Sequence, residues 1–107
     1  MTTKIATRLP IPYEGIEAFC RKWKIIRFEL FGSVLRDDFD PKRSDIDVLV
    51  TFAPGKVPGL EFFTAEDELA QIIGRRVEMT TRRTIEQSEN WIRREAILSE
   101  AQTIYES

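Results

Sequence analysis

The feature that most constrains the fold of this chain is an alternating segment, Asp45-Ile-Asp-Val-Leu-Val-Thr-Phe52. Successive side chains of a strand point to opposite faces, so one face carries Ile46, Val48, Val50 and Phe52. The opposite face carries Asp45 and Asp47, which the usual rise of a strand places ~6.5–7 Å apart. The segment therefore predicts a strand with one side in the core and one side that carries two carboxylates.

Helical spacing is clearest near the start of the chain. Ile16, Phe19, Cys20 and Trp23 recur at i, i+3, i+4 and i+7, which predicts an amphipathic helix over residues 13–23. Cys20 lies on the apolar stripe of that helix, so we expect a buried structural thiol. Since it is the single cysteine of the chain, it can form no internal disulfide.

Further elements follow from apolar runs and from turn residues. Residues 25–31 are apolar and aromatic, as is typical of a strand, and residues 76–80 predict a further short strand in which Val77 and Met79 share one face. Residues 60–73 predict a helix that Gly74 would cap. The glycine- and proline-containing segment 53–59 predicts a loop.

The last part of the chain predicts a long helix over residues 84–105, broken near residues 88–90. Its apolar face would consist of Ile97, Ala101, Ile104 and Tyr105. The resulting order of elements, α-β-β-α-β-α, predicts an α+β fold in which helices flank a small mixed β-sheet. With 107 residues, we expect a single domain over residues 1–107.

Composition restricts the chemistry that this fold can perform. The absence of histidine and the presence of one cysteine exclude Ser-His-Asp and Cys-His catalysis, and an ordinary zinc site, within one chain. The 16 basic and 18 acidic residues give a net charge of −2, which argues against a non-specific nucleic-acid binder. No segment approaches the ~20 apolar residues of a membrane span, and residues 1–12 lack a secretory signal, so we expect a cytoplasmic protein.

The two aspartates predict a site for divalent metal ions. Asp45 and Asp47 repel each other, and carboxylates together with substrate phosphates are the oxygen ligands that Mg²⁺ prefers. Two ions ~3.5–4 Å apart would activate an attacking oxygen and stabilise a leaving pyrophosphate. Glu78 is the candidate third ligand, because Val77 and Met79 take the other face of its strand. Glu78 could also serve as a general base.

Gly32-Ser33 predicts a phosphate-binding turn after the first strand. Glycine lets the backbone approach a phosphate closely, and N–H groups at the start of a short helix bind phosphate oxygens. Ser33 would add a hydroxyl donor, and Arg36 a charged, forked donor. Each pattern is common in isolation, since a Gly-Ser is usually a simple turn. Their order along the chain, before the two aspartates, favours a joint functional interpretation.

These residues resemble the minimal nucleotidyltransferase (MNT) family of the polymerase-beta-like nucleotidyltransferase superfamily. The pattern of that family is Gly-Ser, an Arg three residues after the Ser, and Ser-Asp-x-Asp on the next strand. It is matched by Gly32, Ser33, Arg36, Ser44, Asp45 and Asp47. The resemblance implies that Gly32, Ser33, Arg36 and Ser44 bind the nucleotide, and that Asp45, Asp47 and Glu78 are the catalytic metal ligands.

Two positions depart from the family pattern. Glu78 stands where the family usually has Asp, and its extra methylene could still allow ligation or could weaken the site. Asp37 stands where many members have Gly, which adds a negative charge near the expected triphosphate.

The resemblance implies Mg²⁺-dependent transfer of a nucleoside monophosphate, commonly AMP from ATP, with release of pyrophosphate. It also implies a role as an MntA-like antitoxin to a HEPN-family RNase, with a hydroxyl of that partner protein as the acceptor. One alternative is a catalytically weak binding module that neutralises a toxin by association. Another is a transferase for a small molecule or an RNA end, with a dimer or a partner completing the pocket. The lack of an extra substrate domain and the low net charge count against this last alternative.

Overall fold

The computed structural model describes residues 2–4, 7, 10–36, 39–40, 42 and 44–107. Its elements in chain order are helix α1 (Tyr13–Trp23), strand β1 (Ile25–Phe31), a 3₁₀ helix (Gly32–Leu35), strand β2 (Ile46–Phe52), helix α2 (Glu61–Ile73), strand β3 (Val77–Thr81), helices α3 (Arg82–Glu86) and α4 (Trp91–Glu100), and strand β4 (Gln102–Glu106).

The strands form one mixed sheet in the order β3-β2-β1-β4. Strand β1 is antiparallel to both β2 and β4, whereas β2 and β3 are parallel. The parallel pair is connected through α2, which is the usual way of joining parallel neighbours. The predicted α+β fold with a mixed sheet and helices is confirmed.

The alternation in β2 divides the sheet into a core face and a second face. Ile46, Val48 and Val50 are fully buried, and they pack in a core cluster with apolar residues of α1 and α2. Cys20 of α1 is buried in the same cluster, as predicted, and burial raises the pKa of its thiol to about 12. The second face is partly covered by α3 and α4, through a smaller cluster of Phe31, Leu49, Ile85 and Ile97.

Most predicted boundaries agree with the structure to within one residue. Residues 13–23 and 25–31 form α1 and β1 with the predicted bounds. Gly74 caps α2 in the left-handed conformation, with φ +86° and its N–H donated to the carbonyl of Ala70.

Over residues 84–105, the predicted break near residues 88–90 is confirmed, but the prediction of a helix up to residue 105 is wrong. This part of the chain forms two short helices, and residues 102–106 form β4, which pairs with β1. Ile104 and Tyr105 are buried in the main core from a strand, while Ile97 contacts the other face of the sheet from α4. The apolar residues thus belong to two elements, and pairing with β1 overrides the helical spacing. Within the described residues, no helix combines the length and apolar character needed to span a bilayer.

Candidate active site

Asp47 and Glu78 lie side by side on neighbouring parallel strands, where their Cα atoms are partners in the register of β2 and β3. Glu78 is exposed and Asp47 is half-buried. Burial, followed by the nearby charges of Glu78 and Asp45, raises the pKa of Asp47 to about 6, against the weaker opposing effect of Arg36 and Arg93. The two strands therefore bring carboxylates together without a full counter-charge.

Gly32 closes the other side of Asp47. Phe31, the last residue of β1, pairs with Asp47, and the chain then turns at Gly32 with φ +79°. A Cβ atom on residue 32 would lie 2.3 Å from Oδ2 of Asp47, so the position requires glycine both for its conformation and for space. The predicted turn into a short helix is present as the 3₁₀ helix Gly32–Leu35.

These residues share a cavity of about 230 Å³. It is lined by Phe31, Gly32, Arg36, Asp47, Glu78, Arg93, Ala96, Ile97 and Glu100. The charged groups that line it are three carboxylates and two guanidinium groups. Such a mixture can bind a metal ion on its acidic side and an anionic group on its basic side.

Asp45 lines a second, adjoining cavity of about 360 Å³ with Glu66, Asp67, Ala70, Arg76, Val77 and Glu78. Glu78 thus lies between the two cavities, and Asp45 acts on Asp47 through its charge. Within the described residues, no group of three or more His, Cys, Asp or Glu side chains is arranged so that it could hold a metal ion. The structure brings Asp47 and Glu78 together in one cavity, and Asp45 lines the adjoining cavity, which it shares with Glu78.

The two predicted serines have different surroundings. Ser33 is half-buried within the 3₁₀ helix, and its carbonyl accepts the N–H of Arg36 at 2.9 Å. Ser44 braces the loop before β2: its hydroxyl accepts the N–H of Asp40 at 3.0 Å, and its own N–H donates to the carbonyl of Asp40 at 2.8 Å. Asp37, the family departure after Arg36, lies outside the described residues.

Glu100 is a site residue that the sequence does not reveal. Its Oε1 atom accepts the N–H of Gly32 at 2.5 Å, and both of its carboxylate oxygens lie 3.0 Å from Nη1 of Arg36. Glu100 ends α4, 68 residues away from Gly32 in the chain. Only the packing of α4 over the second face of the sheet brings the two together, so local sequence holds no signal for this contact. Arg93, one of the guanidinium groups that line the cavity, also comes from α4.

A larger cavity, of about 1020 Å³, lies toward the other end of β2, at Thr51. The described residues that line it include none of the predicted site residues. One of its arginines, Arg82, is engaged by the buried carboxylate of Glu29, with Nη1 at 2.7 and 2.8 Å from the two oxygens. A sequence signal for this pair existed, because Glu29 is a charged residue inside an apolar strand. The candidate active site is therefore the cavity of about 230 Å³, since both Asp47 and Glu78 line it.

The carboxylates that line the cavity of about 230 Å³ fit a divalent cation. Asp47 and Glu78 offer only oxygen ligands, and the pKa of Asp47 is raised first by burial and then by repulsion from the carboxylates of Glu78 and Asp45. A hard cation would relieve that repulsion, and substrate phosphates would complete its coordination.

Sequence comparison decides the family. The sequence profile of the nucleotidyltransferase domain matches residues 13–104, which is most of the chain. The chain belongs to the nucleotidyltransferase domain family. The resemblance drawn from the Gly-Ser and Asp-x-Asp residues is therefore confirmed, and so is the prediction of a nucleotidyltransferase. No curated protein is significantly similar in sequence to this nucleotidyltransferase.

Solved structures similar to this nucleotidyltransferase include a minimal nucleotidyltransferase, with 29% identity and a TM-score of 0.64, over 84% of this chain and 86% of the other. A toxin–antitoxin structure with AMP-PNP has 18% identity and a TM-score of 0.68, over 91% and 75% of the two chains. A complex of a tri-AMPylated Shewanella oneidensis HEPN toxin with an MNT antitoxin has 17% identity and a TM-score of 0.61, over 90% and 71%. The last two establish a shared fold.

Proposed function

We propose that this nucleotidyltransferase is metal-dependent and transfers a nucleoside monophosphate, AMP from ATP, to a hydroxyl of a partner protein. The observation that carries the proposal is the pairing of Asp47 and Glu78 on β2 and β3, directly beside the Gly32 turn. Carboxylates beside a glycine turn provide a metal side and a phosphate side within one cavity.

Each residue has a role in this proposal. Asp47 and Glu78, with Asp45 from the adjoining cavity, would hold Mg²⁺, and the ion would neutralise phosphate charge and favour an oxygen nucleophile. The N–H of Gly32 would bind a phosphate oxygen, and Ser33 and Arg36 would add a hydroxyl and a charged donor. Ser44, which braces the loop before β2, would position Asp45.

The transfer itself is a substitution at the α-phosphorus of ATP. The acceptor oxygen bonds to the α-phosphorus, the bond from that phosphorus to the bridging oxygen of the β-phosphate breaks, and pyrophosphate leaves. The hydroxyl proton passes to a carboxylate. We assign that proton to Glu78, because it is the more exposed member of the pair and can face an incoming acceptor.

We further propose that the acceptor belongs to a HEPN-family toxin and that this chain is its antitoxin, in the cytoplasm. The similar structures include an antitoxin bound to an AMPylated HEPN toxin, which supports this partner. The cavity of about 230 Å³ is below the usual size of an enclosed ligand pocket, so a large acceptor must bring its own surface to it. The net charge of −2 disfavours a nucleic-acid acceptor.

The test combines the purified protein, labelled ATP, Mg²⁺ and the protein encoded by the neighbouring reading frame. We expect the partner to gain the mass of one or more AMP units. The variants Asp45→Asn and Asp47→Asn should abolish the label. Glu95→Gln, which removes a charge from an exposed position of α4, should leave the label unchanged.

A second candidate function is neutralisation of the toxin by binding alone. It is favoured by the position of Asp45 in a separate cavity and by the lack of a three-carboxylate metal group among the described residues. If the wild type transfers no AMP, and Asp45→Asn and Asp47→Asn still neutralise the partner, the binding function replaces the enzymatic one.

A further inference from the structure

Glu100 occupies the basic side of the candidate active site. Its carboxylate accepts hydrogen bonds from the N–H of Gly32 at 2.5 Å and from Nη1 of Arg36 at 3.0 Å. These are two of the donors that the proposed function assigns to the nucleotide phosphates. Glu100 thus holds a negatively charged oxygen where a phosphate oxygen would bind.

A carboxylate and a phosphate cannot share these donors. A backbone N–H has one hydrogen, so Gly32 can donate fully to one acceptor at a time. The guanidinium of Arg36 suits either anion, because carboxylates and phosphates present similar pairs of oxygens. Nucleotide binding at Gly32 therefore requires that Glu100 leave.

The charge of the cavity supports the same conclusion. With Glu100 in place, the carboxylates of Asp47, Glu78 and Glu100 face the guanidinium groups of Arg36 and Arg93. A triphosphate that enters this cavity meets an excess of negative charge. When Glu100 withdraws, one negative charge leaves the cavity, and the hydrogen bonds that it accepts from Gly32 and Arg36 are broken.

We propose that Glu100 is an internal competitor of the nucleotide, which closes the phosphate subsite of the nucleotide-free protein and is displaced when a nucleotide binds. The inference rests on the proposed function and adds to it a residue that sets nucleotide affinity. It also assigns Arg36 two successive partners, first Glu100 and then a phosphate.

The competition lowers the apparent affinity for nucleotide by the fraction of molecules whose subsite is open. The side chains of Glu100 and Arg36 are 29% and 51% exposed, so their ion pair is partly screened by solvent. Together with the backbone hydrogen bond, a pair of this kind implies roughly a threefold to tenfold reduction in affinity.

The experiment measures binding of AMP-PNP with Mg²⁺, and of adenosine, by calorimetry on the wild type, Glu100→Gln and Glu95→Gln. Glutamine keeps the shape of Glu100 but removes its charge. We expect Glu100→Gln to bind AMP-PNP roughly threefold to tenfold more tightly than the wild type, with unchanged adenosine affinity. Glu95→Gln makes the same change in charge on α4 at an exposed position and should match the wild type.

The outcomes separate this inference from the proposed function. Equal or weaker AMP-PNP binding by Glu100→Gln, beside a wild type that binds, overturns the inference and leaves the proposed function standing. An equal gain in AMP-PNP affinity for Glu95→Gln also overturns it, because the gain would then follow from the change in net charge rather than from the position of Glu100. No AMP-PNP binding by any of the three proteins overturns the proposed function and the inference together. If Glu100→Gln does not fold, Glu100→Asp replaces it in the experiment, because its side chain is one methylene shorter. The same results are expected, and the same results would overturn the inference.

Discussion

Gly32 and Asp47 are so closely packed that a single methyl group on residue 32 would lie 2.3 Å from a carboxylate oxygen of Asp47. The turn after β1 and the first residues of β2 are therefore fitted to each other. The φ angle of +79° at Gly32 adds a second reason for glycine, since side chains disfavour this conformation.

The variant Gly32→Ala is expected to lower both stability and nucleotide affinity, because its methyl group must displace the Asp47 carboxylate. Gly55→Ala is the matched control: Gly55 also has a positive φ, of +75°, but nothing lies within 4 Å of its would-be Cβ. Urea unfolding should show Gly32→Ala to be less stable than Gly55→Ala by at least about 1 kcal/mol. Equal free energies of unfolding for the two variants would mean that the Asp47 side chain moves aside at no energetic cost.

The raised pKa of Asp47 predicts a pH-dependent stability in metal-free protein. The native carboxyl titrates at about 6 and the unfolded one near its ordinary value, so the native state binds the extra proton between these values. Stability should therefore rise as the pH falls through about 6. Asp47→Asn, which resembles the protonated form, should be more stable than the wild type at pH 8 by about 1–2 kcal/mol, after discounting for solvent screening.

This difference is measured by urea unfolding in EDTA at several pH values, and it should shrink between pH 6 and pH 4. Asp67→Asn, at an exposed position of α2, is the control. A stability difference for Asp47→Asn that is the same at pH 5 and pH 8 would contradict the shifted pKa.

Glu78→Gln should separate catalysis from binding. If Glu78 takes the proton from the acceptor, its loss should reduce AMP transfer by well over tenfold, since general-base assistance contributes ~10²–10⁴. Its effect on Mg·ATP affinity should be smaller than that of Asp47→Asn, which removes the more buried ligand. Single-turnover transfer and calorimetry measure the two effects, and an unchanged transfer rate would make Glu78 a surface residue.

The buried pair of Glu29 and Arg82 predicts a purely structural effect. Glu29 is 1% exposed, and Arg82 is its nearest charged partner, with Arg27 farther away at 3.4 Å. Arg82→Met should cost about 2–3 kcal/mol in the free energy of unfolding, because it leaves a buried carboxylate without most of its counter-charge. Arg83→Met, at the exposed neighbouring position, should cost little, and adding Glu29→Gln to Arg82→Met should restore part of the loss.

The sequence predicts those parts of the fold that depend on local periodicity. The stripe of α1 and the alternation of β2 each match one secondary-structure period, and both elements lie where the spacing puts them. Strand β4 was not predictable in this way. Ala101 is the single residue between α4 and β4, and Ile104-Tyr105 fits either a helix or a strand until pairing with β1 decides.

The same distinction applies to the candidate site: residues placed by local periodicity could be predicted, and residues placed by tertiary packing could not. Local patterns place three residues of the site. Gly32 follows the end of a predicted strand, and the alternation of strand residues predicts the faces that carry Asp47 and Glu78. Asp45 precedes the first paired residue of β2, so alternation no longer controls its direction, and it lines the adjoining cavity. Glu100 depends on the docking of a whole helix, which no local pattern encodes.

The direct connection of α4 to β4 has a consequence for kinetics. Gln102 is paired with Leu30 of β1, only two residues after Glu100, so the backbone at the end of α4 is anchored to the sheet. The carboxylate of Glu100 must then leave Gly32 by rotation about its own side-chain bonds rather than by movement of the helix. Rotations of partly exposed side chains take picoseconds to nanoseconds, far less than an enzymatic turnover. The open and closed forms of the subsite would consequently re-equilibrate before each encounter, so the apparent association rate of the nucleotide would fall by the same open fraction that lowers its affinity.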